Sequence, residues 1–243
     1  MLRAQRLVAR VAQTAATRWP AQLRRLSAVP GTPEYEEEQA AEFSRSDEFY
    51  ESEGVDRRYY FFVDSLGRLF GESTHPKGIT TSIKSDKFLD FFFSQIRPNA
   101  REHAGADASI VSQYPWISPC GPEMNFVRAA DTAVVFTELR ESPGGGHELV
   151  YGGTLRTPMV PERLRMSPEG RLYHLLSGKR LGRDVPCLVR SSVALGVAEG
   201  IELSEEGAGG RQAGVVRWEG QTYPLLWLDE GEEARRRPQA RCA

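Results

Sequence analysis

Residues 114–126, YPWISPCGPEMNF, carry the side chains whose types and spacing could do chemistry. Cys120 lies between two prolines and beside a glycine, and Glu123, Asn125 and Arg128 follow it closely. A cysteine acts as a nucleophile in its thiolate form, which a nearby cation, a helix N-terminus or a histidine favours. Arg128 is the cation that could favour a thiolate here, whereas the carboxylate of Glu123 would oppose it. The stretch is therefore a candidate site for thiol chemistry.

The same stretch also fits a loop with no chemical role. Proline and glycine shape turns between strands, and a cysteine packs there as a small apolar residue. Asn125 or Glu123 would then bond to the loop backbone. The sequence leaves both interpretations open and assigns no catalytic residue. The candidate binding loop comprises Ser118, Cys120, Glu123, Asn125 and Arg128, with Cys120 as the candidate nucleophile.

No other motif in the sequence points to a reaction. The histidines do not stand at metal-ligand spacing, so no metal site is predicted. They are His75, His103, His147 and His174. Residues 142–147, SPGGGH, lack the Gly-Lys-Ser/Thr ending of a phosphate-binding loop and precede no helix pattern. The serine-hydrolase elbow and the dinucleotide fingerprint are also absent from the sequence, so no cofactor is predicted.

The composition suits a packed protein and restricts its partners. The chain has 243 residues, of which 40% are hydrophobic and 26% charged, enough for one ordinary domain or two small ones. Its net charge of -2 argues against a general binder of DNA or RNA. Its three cysteines form no CxxC pair, which fits a reducing compartment. No apolar run reaches the about 18 residues of a membrane span, so the expected partner is an unidentified protein or small molecule.

The first 33 residues have the composition of a targeting segment. They hold six arginines and no acidic residue. On a helical wheel, apolar side chains between Ala4 and Trp19 fall on one side and three arginines on another. A basic, amphipathic, acid-free N-terminus is typical of a mitochondrial transit peptide. Residues 1–33 therefore predict a mitochondrial location, in the matrix; a disordered basic tail or a surface helix is the alternative.

Two charged segments flank the body of the chain. Residues 34–56 hold ten acidic residues and one arginine, and without a sustained apolar period they predict a disordered linker. Aromatic residues interleave with these acids, which leaves a binding segment as the alternative. They are Tyr35, Phe43, Phe49 and Tyr50. Residues 229–243 are also charged, and this tail is predicted to be disordered.

The folded body is predicted to span residues 57–228. A hairpin is predicted over residues 57–70, and the spacing of apolar residues predicts an amphipathic helix over residues 85–98. The phenylalanines at 91–93 are expected in the core. Further strands are predicted at 78–83, 110–117, 132–139 and 148–155, with a hairpin turn at 219–220. The fold class is β-rich α+β, with short antiparallel meanders and one clear amphipathic helix.

Several stretches of the body resemble an uncharacterised protein family, number 0598 in the catalogue of such families. They are RRYYFFVDSLGRLF, FFFSQIRPN, YPWISPCGPEMNFVRAADTAVVFTEL, GRLYH and VRWEGQTYPL, in that order. The resemblance covers about residues 57–228 and implies a small mitochondrial protein. The family has no established activity, so the resemblance implies no catalytic residue. The long acidic linker is not typical of the family.

A fainter likeness is to a bacterial uncharacterised domain family, number 1285. Residues 127–136 and 216–225 carry it. This likeness implies a β-rich fold of repeated meander-plus-helix units and a signalling or binding role. It would divide the body into two similar units near residue 155.

A non-catalytic mitochondrial binding or regulatory protein is the function that these observations favour. The alternative is a thiol-dependent enzyme or redox protein that uses Cys120, with Glu123, Asn125 and Arg128 as polar support. A third hypothesis, an RNA-associated mitochondrial factor, depends only on the expected location and on scattered arginines.

Overall fold

The computed structural model describes residues 45–99, 108–204 and 211–236 of the chain. The predictions made for residues 1–44, which include the targeting segment, therefore lie outside the described residues. His103 and Cys242 also lie outside them. No helix of the described part is long and apolar enough to cross a membrane.

The described chain is α+β and rich in strands, as predicted. The helices are α1 (Asp47–Val55), α2 (Asp86–Gln95), α3 (Ala108–Gln113), α4 (Ser191–Ala198) and α5 (Glu230–Arg236), with a 3-10 turn at Pro161–Arg163. The first strands are β1 (Arg58–Val63), β2 (Leu69–Gly71), β3 (Arg97–Pro98), β4 (Trp116–Ile117), β5 (Met124–Ala129), β6 (Val135–Phe136), β7 (Glu138–Glu141), β8 (His147–Tyr151) and β9 (Leu155–Pro158). They are followed by β10 (Leu164–Met166), β11 (Leu172–Leu176), β12 (Val185–Val189), β13 (Ile201–Leu203), β14 (Gln212–Trp218) and β15 (Gln221–Trp227).

These strands form three sheets. The N-terminal sheet has the order β2-β1-β5-β4-β3, and the C-terminal sheet has the order β13-β14-β15-β10-β11-β12-β6. Strands β7, β8 and β9 form a separate antiparallel meander. The predicted hairpins β1–β2 and β14–β15 are confirmed, with the second turn at Glu219 and Gly220.

The two faces of the N-terminal sheet have different environments because successive side chains of a strand point to opposite faces. Phe61, Val63 and Val127 belong to the face that packs on α2 and joins the large core shared with the C-terminal sheet. Tyr60 and Phe126 belong to the opposite face, where residues of α1 and α3 cover them.

Helix α2 begins and ends close to the predicted positions. The Ser85 hydroxyl caps it by accepting from the Phe88 N–H at 3.4 Å. Ile96 leaves the last turn in an extended conformation, and Arg97 and Pro98 continue as β3. A proline favours such a conformation in the residue before it, here Arg97.

Two predicted strands in the body are wrong. Residues 78–83 form turns rather than a strand, and Ile79 is 72% exposed. Residues 110–113 belong to helix α3, and the strand there starts only at Trp116. In both cases β-branched residues suggested strands, but strand formation depends on a pairing partner more than on intrinsic preference.

The chain is also ordered beyond the predicted boundaries of the body. Residues 47–55, assigned to the acidic linker, form α1, and residues 230–236, assigned to the tail, form α5. The expected division near residue 155 does not separate the sheets, because β6 pairs in parallel with β12 at Leu188↔Val135. The C-terminal sheet therefore takes strands from both sides of residue 155.

Candidate functional site

The candidate loop forms a tight turn between β4 and β5. Cys120 and Glu123 exchange two backbone hydrogen bonds of 2.9 Å, and Gly121 takes a left-handed φ of 58° between them. Only glycine adopts such a backbone conformation readily. The proline and glycine residues therefore shape a turn, as the structural interpretation proposed.

Ser118 and Asn125 hold the base of this turn. Both are buried, at 0% and 4% exposure. The Asn125 side-chain amide donates to the Ser118 carbonyl at 2.7 Å, and the Ser118 hydroxyl donates to the Phe92 carbonyl of α2 at 2.7 Å. Because buried polar groups need partners, these two residues have structural roles and attach the turn to α2.

Arg128 does not face Cys120. On β5 it shares the side of Phe126, whereas Asn125 points to the other side of the sheet. Its guanidinium pairs with Glu72 at 2.5 Å. Cys120 is half-buried, and among the described residues none donates a hydrogen bond to its sulfur. The five candidate residues therefore do not form one constellation.

Glu72 is the centre of a buried polar network on the face of the N-terminal sheet that α1 and α3 cover. Its carboxylate is fully buried and accepts hydrogen bonds from Tyr50 at 3.1 Å, from Tyr114 and from Arg128. Burial, with a smaller effect of the Glu72 charge, raises the pKa of Tyr50 to about 12 and raises that of Tyr114 further. Both phenols therefore remain protonated donors at neutral pH.

This network fastens four elements rather than exposing a reactive group. Tyr50 belongs to α1, Glu72 directly follows β2, Tyr114 directly follows α3, and Arg128 belongs to β5. The charges of Glu72 and Arg128 balance each other, and the guanidinium also lies 5.8 Å from the centre of the Tyr114 ring. We assign it a structural role.

An exposed aromatic surface is formed by helix α2 and by the face of β1 that packs on it. Its members, which we name the aromatic ridge, are Tyr59, Phe61, Phe88 and Phe91. Tyr59, Phe88 and Phe91 are 38%, 37% and 45% exposed. The Phe61 ring lies 6.5 Å from the Phe88 ring and 5.1 Å from the buried ring of Phe92. Phe61 and Phe88 therefore join the ridge to the buried ring of Phe92. Phe91 lies one helical turn from Phe88, and Tyr59 lies two residues before Phe61 on the same side of β1.

Helix α2 is held in place by its contacts with Gly153 and Thr154. The Asp90 carboxylate accepts from the backbone N–H groups of Gly153 and Thr154, at 3.1 Å and 2.6 Å. Burial raises the pKa of Asp90, but the hydrogen bonds from Thr154 and Gly153 outweigh it and hold the pKa below its ordinary value. A Cβ added at Gly153 would lie 2.7 Å from the Asp86 Cα, so glycine permits this close approach of the helix.

Positive charges border both ends of the ridge. Lys84 and Lys87 are exposed at the start of α2. At its end, Arg180 donates to the Ser94 carbonyl at 3.4 Å, which brings the exposed basic loop 178–183 to the last turn of α2. Asp86 is an exposed carboxylate at the first turn, so cations are in excess around the ridge.

Sequence reasoning missed the ridge because it placed all three phenylalanines of α2 in the core. Phe92 and Phe93 are buried, which confirms that part of the prediction. Phe91 is 45% exposed, so its predicted place in the core is wrong. Three consecutive residues span about 200° of a helix, so they cannot all face one core. The helical period was the signal that could have identified Phe91.

The described residues give no sign of a metal centre. No three His, Cys, Asp or Glu side chains within them lie close enough together to hold a metal ion.

The chain matches a protein family over most of its length. The family is described as a domain of unknown function (DUF4505), and the match covers residues 50–227. A solved structure of a DUF1285 family protein from Shewanella baltica OS155 is similar at 11% identity and a TM-score of 0.38, over 58% of this chain and 91% of that one. A DUF1285 family protein from Silicibacter pomeroyi DSS-3 is similar at 12% identity and a TM-score of 0.41, over 87% of this chain and 96% of that one.

The likenesses to family 0598 and to family 1285 both stay resemblances. The match includes β1 to β15, and therefore both the buried network and the aromatic ridge. The chain belongs to the family described as a domain of unknown function, DUF4505.

Proposed function

We propose that this protein is a non-catalytic binding protein whose aromatic ridge docks an acidic segment of a partner protein. The observation that carries the proposal is the exposure of Tyr59, Phe88 and Phe91, of which Phe88 belongs to a stack with the rings of Phe61 and Phe92. Single exposed apolar residues are ordinary, but contiguous exposed groups mark interaction sites. Aromatic side chains are also the usual anchors of protein interfaces.

The charge around the ridge supports an acidic partner. Lys87 and the basic loop 178–183 lie at opposite ends of α2, about one helix length apart. A segment with apolar anchors between acidic residues would pair with both ends while its anchors cover the rings. Such charges mainly raise the association rate and the specificity of the complex.

The thiol-enzyme alternative loses its support from the geometry. Arg128, the cation assigned to the thiolate of Cys120, is paired with Glu72 on the other side of the sheet. Asn125 is also committed to the base of the turn. Binding at the ridge needs neither residue.

Replacing Phe88 and Phe91 together by serine is expected to weaken binding of an acidic peptide at least tenfold, because both ring anchors are removed. The probe is the peptide EYEEEQAAEFS, a copy of residues 34–44 that combines acids with two aromatic residues. Binding is measured by NMR titration of the full chain. Leu195→Ser is the matched control, because Leu195 is 71% exposed on α4, and it should leave the affinity unchanged.

The proposal is wrong if the peptide shifts no ridge resonances at millimolar concentration. It is also wrong if the double variant binds as the unsubstituted chain does. Anionic lipid vesicles form a further arm of the test. Binding to vesicles through Phe88 and Phe91 without binding to the peptide would replace a protein partner by a membrane surface.

We also propose that the protein works in the mitochondrial matrix, which the composition of residues 1–33 supports. A fluorescent reporter that carries residues 1–33 is expected to accumulate in mitochondria. The same fusion with Arg3, Arg6 and Arg10 replaced by glutamate should stay in the cytosol. A cytosolic reporter with the unsubstituted segment would remove the proposal.

A further inference from the structure

The C-terminal helix α5 is attached to the C-terminal sheet almost entirely by charged groups. Its buried residues are Glu232 and Arg236, at 5% and 8% exposure, whereas its alanine, Ala234, is exposed. The helix therefore contributes little apolar burial to the fold. Its position depends on the partners of these two side chains and on Arg235, whose Nε donates to the Asp184 carbonyl at 2.7 Å.

The two buried charges of α5 meet opposite charges that lie on the body. Glu232 accepts from the Arg165 Nε at 2.9 Å. Arg236 donates to the Asp131 carboxylate at 3.2 Å and to the Tyr173 hydroxyl, and its guanidinium lies 5.1 Å from the centre of the Tyr173 ring. A carboxylate and a guanidinium four residues apart on one helix face thus meet a cation and an anion.

The receiving groups are positioned without α5. Asp131 is held by Arg171 at 2.5 Å and by the Tyr173 hydroxyl at 3.0 Å. Arg165 donates to the carbonyls of Glu162 and Leu164, at 2.9 Å and 2.8 Å. These contacts would remain if α5 departed, so the body presents a preformed site.

The helix itself is short. It has seven residues, and isolated helices of that length are not stable in water. Its start is organised by a reciprocal cap, in which the Glu232 N–H donates to Asp229 Oδ1 at 2.7 Å and the Asp229 N–H donates to Glu232 Oε2 at 3.2 Å. Segments held by few apolar contacts open at low free-energy cost. The family match ends at residue 227, before α5 begins.

We propose that Asp131, Arg165 and Tyr173 form a second docking site, which binds a partner helix that carries Glu and Arg four residues apart. In the resting chain α5 fills this site and is exchanged for the partner helix. The site is distinct from the aromatic ridge and does not depend on it. Its chemistry is defined by the side chains that α5 itself supplies.

The test frees the site within the full chain and offers the helix in trans. Glu232→Lys with Arg236→Glu reverses both buried charges of α5 and leaves the receiving groups unchanged. The probe is a fluorescent peptide copying residues 228–240, and binding is measured by fluorescence polarisation. We expect this double variant to bind the peptide at least tenfold more tightly than the unsubstituted chain, whose own α5 competes, and binding should weaken at high salt.

Two controls separate this site from a general attraction between charges. Glu230→Gln changes an exposed carboxylate of α5 and should not increase peptide binding. Arg165→Gln, added to the double variant, should abolish it. Arg165 is chosen because its side chain is 14% exposed and its loss threatens folding less than loss of the deeply buried Asp131.

Three results would overturn the proposal. The first is equal peptide affinity for the unsubstituted chain and the double variant, and the second is unchanged affinity after Arg165→Gln. The third comes from hydrogen exchange of the full chain, if the α5 amides exchange only as slowly as those of β15. That would show that α5 leaves the site only when the whole protein unfolds.

Discussion

Replacing Arg128 by methionine is expected to lower the free energy of unfolding by about 3–5 kcal/mol, which is the usual cost of removing one partner of a buried ion pair. The side chain of Glu72 has no exposed surface, and that of Arg128 is 10% exposed. Without the guanidinium, Glu72 would keep its tyrosine donors but lose its counter-charge. An uncompensated buried charge is costly because the interior cannot replace the solvation of water.

The expected loss is measured by urea unfolding of the full chain, followed by far-UV circular dichroism. The double variant Glu72→Gln with Arg128→Met should recover most of the lost free energy, since it removes both charges while the introduced amide oxygen can still accept from a tyrosine. Arg140→Met is the control, because Arg140 and Glu138 form a pair in which both side chains are 48% exposed. Loss of such a pair costs about 1 kcal/mol or less.

If Arg128→Met were as mild as Arg140→Met, Glu72 could not be a buried ionised group in the folded protein. The network would then not be what holds α1 on the sheet. If instead the double variant were as unstable as Arg128→Met, the loss would come from packing against Tyr114 rather than from the charge. The two variants therefore separate the electrostatic contribution of Arg128 from its contribution to packing.

The Glu72 network also shows why residues 45–56 were predicted to belong to a disordered linker. Acidic residues dominate that segment, and composition alone favours a solvated chain. Its order depends on Phe49, which packs on Tyr60, and on Tyr50, which reaches Glu72. The same aromatic residues had suggested a binding segment, and the structure shows that Phe49 and Tyr50 bind the chain's own sheet. The C-terminal tail was misjudged for the same reason, since two buried charges order α5.

Local sequence patterns were sufficient to predict the elements whose formation depends on residues close together in the chain. The β1–β2 and β14–β15 hairpins follow from alternation and turn residues, and α2 follows from its 3.6-residue period. Contacts between distant residues have no such pattern. The parallel pairing of β1 with β5, and the pair between Arg128 and Glu72 across 56 residues, could not be predicted from spacing. This is why the candidate loop, predicted as one site, is divided between two faces.

Acidification from pH 7 to pH 4 is expected to destabilise the protein through His174 in particular. This residue lies in β11 and is 1% exposed. Its Nε2 accepts from the Val160 N–H at 3.1 Å, so the neutral ring carries its proton on Nδ1. The buried Nδ1 has no hydrogen-bond partner among the described residues, and no carboxylate among them is in place to stabilise a second proton.

Burial, followed by the charge of Arg163, lowers the pKa of His174 from 6.5 to about 4. Between those two values the unfolded chain binds a proton that the folded chain does not. The free energy of unfolding therefore falls as the pH is lowered through this window, and the contribution of His174 is complete near pH 4. A shift of this size corresponds to about 3 kcal/mol, and above about pH 6.5 the residue imposes no such cost.

The measurement is the free energy of unfolding at a series of pH values for the unsubstituted chain and for His174→Gln, whose amide oxygen can accept from Val160 but does not titrate. The variant is expected to lose about 3 kcal/mol less between pH 7 and pH 4. His147→Gln is the matched control, since it removes a partly exposed histidine paired with Glu219. Equal pH dependence in all three proteins would mean that His174 is protonated in the folded state. Because burial disfavours that charge, a buried acceptor or a water molecule would then have to reach Nδ1.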